Sequence, residues 1–111
     1  PYKPVHAKHP CTLWAGESLD NWLWLKELAI YLNEEFCWRY DRSASHKSIE
    51  VINELFPPLI KSKGLQQHPQ CMPDEYKVVS DPISAYRNYY IGEKSGFAKW
   101  TKREVPEWFQ V

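Results

Sequence analysis

The feature that most constrains this chain is an apolar register in its first third. Trp22, Leu25, Ala29, Leu32, Phe36 and Tyr40 recur every three or four residues, the spacing of one face of a 3.6-residue helix. Asp20, Glu27, Glu34 and Glu35 fill much of the remaining circumference. Ser18 stands where a cap is needed, because its hydroxyl can accept from a first-turn amide that has no helical partner. The pattern predicts one long amphipathic helix over residues 19–40.

The other segments fall into place around it. Residues 1–16 hold three Pro and two His and read as an extended arm ending at Gly16. A second helix is predicted over 46–56, capped by Ser45, with Ile49, Ile52, Leu55 and Phe56 on its apolar side. Pro57 and Pro58 stop it, since proline lacks the donor and clashes with the preceding turn. Residues 57–80 carry four Pro and one Gly and predict a long ordered loop with one turn of helix. Asp81–Pro82 opens a third helix, a cap followed by proline at the first helical position. Ile83, Tyr86, Tyr90 and Phe97 form its stripe, and Gly92 and Gly96 weaken its end. The tail (Trp100, Val105, Pro106, Trp108, Phe109) is apolar enough to pack back on the core. Strand-like alternation is absent. The expected fold is an all-α, compact three-helix domain spanning 1–111, with a long Pro-rich loop and an aromatic C-terminal tail.

Composition narrows the function. Six Trp, seven Tyr and four Phe exceed ordinary use. Most of these rings are expected in the core, where each buries on the order of 150–250 Å², and a minority are expected to bind. The formal net charge is zero, which argues against a protein that envelops duplex DNA. The charge is uneven, however. Residues 17–55 hold eight acids and four bases, whereas residues 84–103 hold five bases and one acid. Three Cys (Cys11, Cys37, Cys71) form no disulfide framework. A reducing cytoplasm, with no membrane span and no signal peptide, is the expected setting.

Four constellations can carry chemistry. In the first, Arg87, Tyr90 and Lys94 share a helix face at i, i+3 and i+7, and Lys99, Trp100, Arg103, Trp108 and Phe109 follow. Cations supply phosphate contacts and rings stack on bases at ~1–3 kcal/mol each. The plainer alternative is an amphipathic helix whose tyrosines are core and whose cations reach out to water. The second is His6, His9 and Cys11 with His68 and Cys71. These are zinc-ligand types, but their spacing is looser than the paired motifs of zinc sites. His9–Pro10 reads equally as a structural turn, or His9 as a phosphate contact beside Trp14. In the third, Glu34 and Glu35 diverge on a helix and form no acid–base pair, and Cys37 reads as buried and inert. In the fourth, the amine of Pro1 would be a Schiff-base nucleophile if it is the mature terminus. No Gly-rich phosphate loop or nucleophile elbow occurs.

The series His9–Pro10, Leu13–Trp14, Asn21, Trp24–Leu25, Glu35, Arg39–Tyr40 and His46–Lys47 resembles a group of phage proteins over nearly the whole chain. So do the runs Met72-Pro73-Asp74-Glu75-Tyr76-Lys77, Tyr86-Arg87-Asn88-Tyr89-Tyr90 and Arg103-Glu104-Val105-Pro106-Glu107-Trp108-Phe109. The group is similar in turn to the endonuclease V, or pyrimidine-dimer DNA glycosylase, family. That resemblance rests on helix order, on the Lys8–His9 turn before a long helix, and on an aromatic, basic tail like Arg103–Trp108. It implies a helical fold and, if the chain is active, base excision from damaged DNA. The family's catalytic amine and glutamate would lie before residue 1, so no catalytic residue is assigned, and no cofactor is expected. The neutral charge departs from that family's basic pattern.

Two functions follow as expectations. One is a phage-type protein that binds DNA or a nucleotide through His9, Trp14, Asn21, Trp24, His46, Arg87, Tyr90, Lys94, Trp100, Arg103 and Trp108. The other is a non-enzymatic factor that engages a host protein or sequesters a nucleotide, for which exposed Trp and Tyr are good anchors.

Overall fold

A computed structural model describes residues 5–110. It is all-α, with no strand among those residues. The helices are α1 (Pro10–Glu17), α2 (Leu19–Arg39), α3 (Lys47–Glu54) and α4 (Pro82–Tyr89). The chain divides into two compact units, Pro1–Gln66 and Gln67–Val111.

In the N-terminal unit the arm expected over residues 1–16 gives way to a helix from Pro10 onward. Pro10 takes the N1 position, where its missing N–H costs nothing and its fixed φ already suits a helix. His9 caps the helix, its Nδ1 accepting from the Cys11 amide at 3.1 Å. Proline at this position therefore starts a helix rather than marking an extended strand. Ser18, with extended backbone (φ −150°, ψ 141°), separates α1 from α2 and caps α2 by accepting from the Asp20 amide.

The first turn of α2 also ties down the segment 61–66. Ser18 and Asn21 are both fully buried. The Ser18 hydroxyl accepts from the Lys63 amide and donates to the Gly64 carbonyl, at 3.1 and 3.0 Å. Asp20 Oδ2 accepts from Ser62 Oγ at 2.5 Å and from the Gly64 amide at 2.9 Å. Asn21 donates to the Trp14 carbonyl at 2.8 Å and to Gln66 Oε1 at 3.1 Å, and accepts from the Gln66 amide at 2.9 Å. Every hydrogen-bonding site the carboxamide must fill in the interior is thus used. Gly64 sits at φ +80°, a left-handed conformation that costs glycine little.

Helix α3 lies alongside α2. Asn33 Nδ2 donates to Ser45 Oγ at 3.1 Å while its Oδ1 accepts from the His46 amide at 3.0 Å. At the other end Lys26 Nζ donates to the Leu55 carbonyl at 3.0 Å. The cap of α3 is His46, whose Nδ1 accepts from the Ser48 amide. Ser45 was the expected cap, but its hydroxyl is engaged by Asn33. The helix ends at Glu54, two residues short of the expected boundary. Trp14 and Ile49 are the buried apolar side chains of this unit.

The apolar register of α2 is the largest departure from expectation. The helix forms as predicted, but its stripe is open to solvent. Leu25 is 40% exposed, Leu32 59%, Phe36 51% and Tyr40 43%.

The C-terminal unit begins with the loop segment. Gln70 clamps it, accepting from the Val78 amide at 2.9 Å and donating to the Val78 carbonyl at 2.5 Å. The one expected helical turn is a 3-10 turn at Asp74–Tyr76. Asp81 caps α4, accepting from the Ser84 amide at 3.1 Å and the Ser84 hydroxyl at 2.7 Å. Pro82 follows at N1. The helix continues as a π-helical turn, Tyr90–Lys94, and a 3-10 turn, Ser95–Phe97. Gly92 faces the Tyr76 ring so closely that a Cβ there would collide with it. Ala85 is the buried apolar residue of α4, whereas Ile83 and Phe97, expected in its stripe, are exposed.

Candidate ring and cation site

The C-terminal tail packs back within its own unit, as the sequence suggested, and it does so through rings. Tyr90 lies 5.9 Å from Trp100, 6.0 Å from Trp108 and 5.9 Å from Phe109, centroid to centroid. Trp100 stands edge-on to Trp108 at 6.0 Å and to Phe109 at 5.1 Å. Edge-to-face contact suits the ring quadrupoles, at about 0.5–1.5 kcal/mol per pair beyond burial. Two tight turns bring the rings together, one closed by the Arg103 amide on the Trp100 carbonyl at 2.8 Å, the other by the Phe109 amide on the Pro106 carbonyl at 3.0 Å. All four rings are half-buried. The Trp100 indole N–H is shielded from solvent without a hydrogen-bond partner among the described residues, which costs ~1–3 kcal/mol.

The cations surround this cluster unevenly. Arg87 is exposed and holds its guanidinium 5.3 Å from the Trp108 ring centroid. Lys99, Lys102 and Arg103 are exposed on the same tail. Lys94 is elsewhere: its Nζ lies over Tyr89 at 5.3 Å and over Phe97 at 5.6 Å. The expected face of Arg87, Tyr90 and Lys94 assumed an α-helix through residue 94. The π-helical turn has more residues per turn, so Lys94 is rotated off the face that Arg87 and Tyr90 share. Arg87, Tyr90, Trp100 and Trp108 therefore come together, Arg103 borders them on the turn after Trp100, and Lys94 does not join them. Phe109, noted in the tail, belongs to the cluster as fully as the two tryptophans.

The candidates in the N-terminal unit serve its architecture. His9 and His46 cap helices through Nδ1, and Asn21 is the buried bracket already described. Trp14 is buried and meets Trp24 edge-on at 5.9 Å. Glu35 pairs with Arg39 one turn away at 2.7 Å, in keeping with its divergence from Glu34. Cys37, expected to be buried, is half-buried, its Sγ 3.9 Å from Asn33 Oδ1 and 3.7 Å from the Ala44 carbonyl. The Pro1 amine lies outside the described residues.

Four groups in the C-terminal unit are electrostatically shifted, among them Asp74, lowered first by its hydrogen bond from Lys77. Desolvation holds His68 below the ordinary imidazole range, favouring its neutral form. The Tyr76 hydroxyl donates to Glu93 at 3.0 Å, and that bond, with some desolvation, raises its pKa. Asp81 is lowered, first by its Ser84 hydrogen bonds. The Arg87 charge adds a smaller lowering at Asp81. What the cluster offers is ring surface, one stacked guanidinium and nearby exposed ammonium and guanidinium groups.

Among the described residues no helix is long and apolar enough to cross a membrane. In comparisons with family models, curated proteins and solved structures, none matches this chain.

Proposed function

We propose that the C-terminal unit binds single-stranded nucleic acid or a nucleotide, with no reaction assigned. The observation that carries this reading is the Tyr90–Trp100–Trp108–Phe109 cluster with Arg87 stacked over Trp108 and with Lys99, Lys102 and Arg103 exposed on the same tail. Single strands are bound by this mixture: ring faces for unstacked bases, cations for the phosphates between them. A duplex offers no free base face, and a chain of zero net charge has little to hold it by.

Half-buried rings leave part of their surface for a ligand, and Arg87 is placed to contact either a base plane or a phosphate. Titration with single-stranded DNA at two salt concentrations, followed by tryptophan fluorescence, tests the reading. Arg87→Ala is expected to weaken binding and to lower the salt slope by about one unit. Affinity and slope unchanged in that variant would remove Arg87 from the site. No response of the native chain to DNA or free nucleotide would remove the reading itself.

A further inference from the structure

We infer that the open stripe of α2 is a self-association surface through which two copies of this chain pair antiparallel. Trp22, Leu25, Ala29, Leu32 and Phe36 are separated by three, four, three and four residues, the alternation that keeps one seam facing a neighbouring helix. Tyr40 extends the line, its ring 5.0 Å from Phe36. None of the six carries a charge, and the Lys26 ammonium, 5.8 Å from the Trp22 ring, is held by the Leu55 carbonyl at one end of the stripe. Leu25, Leu32, Phe36 and Tyr40 are each about half exposed, and Leu55 and Phe56 at the end of α3 are 47% and 90% exposed. At roughly 100 Å² per half-exposed large side chain, these six offer on the order of 600 Å² per copy. A stable interface takes ~800 Å² per partner, so the polar rim supplies the remainder and the dimer is expected to exchange readily with monomer.

The pattern of sizes selects the orientation. In a parallel pair Ala29 would face Ala29 and Phe36 would face Phe36, leaving a gap at one level and crowding at another. An antiparallel pair centred between residues 30 and 31 sets Ala29 against Leu32 of the other copy and Leu25 against Phe36 of the other copy. The small Ala29 then meets the larger Leu32, no level sets two phenylalanines face to face, and the helix dipoles oppose. A second copy is the occupant that matches the stripe in length, spacing and lack of charge, and two-fold pairing is the commonest closed symmetry.

Sedimentation equilibrium of the full chain over a wide concentration range tests this. The mass is expected to rise from one chain toward two. Leu32→Glu should hold it at one chain while leaving the far-UV circular dichroism unchanged, because Leu32 is already exposed. Phe36→Glu and Leu25→Lys should each be monomeric alone and associate when mixed, since residues 36 and 25 meet across the seam. A native chain that stays monomeric throughout, or a Leu32→Glu variant that associates like the native chain, would overturn the inference and leave the stripe to a different protein. Failure of the mixed variants to associate would overturn the antiparallel pairing.

Discussion

The two units of this chain are held by different physics. The N-terminal unit buries little apolar surface and relies on a polar bracket, in which Ser18, Asp20 and Asn21 at the start of α2 capture the Ser62 hydroxyl and the backbone of Lys63, Gly64 and Gln66. The C-terminal unit closes its tail with rings. A hydrogen-bond bracket is unforgiving, because removing one partner strands the others in a dry environment. A ring cluster tolerates displacement, since each contact is non-directional and individually small. On the proposed reading, that difference puts the adaptable surface in the C-terminal unit and the rigid frame in the N-terminal one.

The comparison breaks first at Asn21. Replacing it with Ala leaves the Trp14 carbonyl and the Gln66 amide without their partners, at an expected cost of about 2–4 kcal/mol. Urea unfolding followed by far-UV circular dichroism measures this, and a loss below about 0.5 kcal/mol would mean that the bracket is not what holds the unit.

Trp100→Ala is the counterpart in the ring cluster. Full burial would give about 3–5 kcal/mol for such a truncation, and a half-buried ring is expected to give about 2 kcal/mol. The near-UV aromatic signal should fall while the helical far-UV signal of α2 stays. Loss of both together would show that the units do not respond independently.

A smaller effect is expected at Gly92. A methyl there meets the Tyr76 ring, which must shift, at about 1–2 kcal/mol. Gly96 has open space around its would-be Cβ, so Gly96→Ala should be neutral or slightly stabilising. Thermal melting of the two variants side by side gives the contrast.

Acid acts on the bracket most gently, through one carboxylate. Asp20 is lowered, first by the Ser62 hydroxyl, then against a small desolvation cost by the Gly64 amide. A carboxyl with a depressed folded pKa contributes stability that is full above its unfolded value and is lost as pH falls through the folded one. The N-terminal unit should therefore weaken below the ordinary carboxylate range, and Asp20→Asn should flatten that part of the pH profile. A profile unchanged by the substitution would remove Asp20 from the bracket's acid response.

How much of this was legible in the sequence depended on whether the signal was local. The all-α class, the boundaries of α2, its Ser18 cap, and the Asp81–Pro82 start of α4 all came from neighbouring residues, where capping chemistry decides the outcome. Helix α1 departs from the extended arm expected over residues 1–16 because His9–Pro10 is a cap followed by proline, the same local signal as Asp81–Pro82. His9 and His46 are caps in the structure, a role their residue type does not announce, since an imidazole Nδ1 can accept from an amide two residues ahead. The stripe of α2 was legible as a helix face, but whether anything covers it is not a local property. The ring cluster was visible as composition. Its membership depended on a π-helical turn after Tyr89, which no single residue announces, and that turn is why Lys94 faces Tyr89 instead.

The most direct test of the binding account is to follow the indole N–H signals of the six tryptophans by proton–nitrogen correlation NMR while single-stranded DNA is added. The account predicts that Trp100 and Trp108 shift, in a salt-dependent way, while Trp14 and Trp24 in the polar-bracketed unit do not. Shifts confined to Trp14, Trp22, Trp24 or Trp38, with Trp100 and Trp108 unmoved, would contradict it.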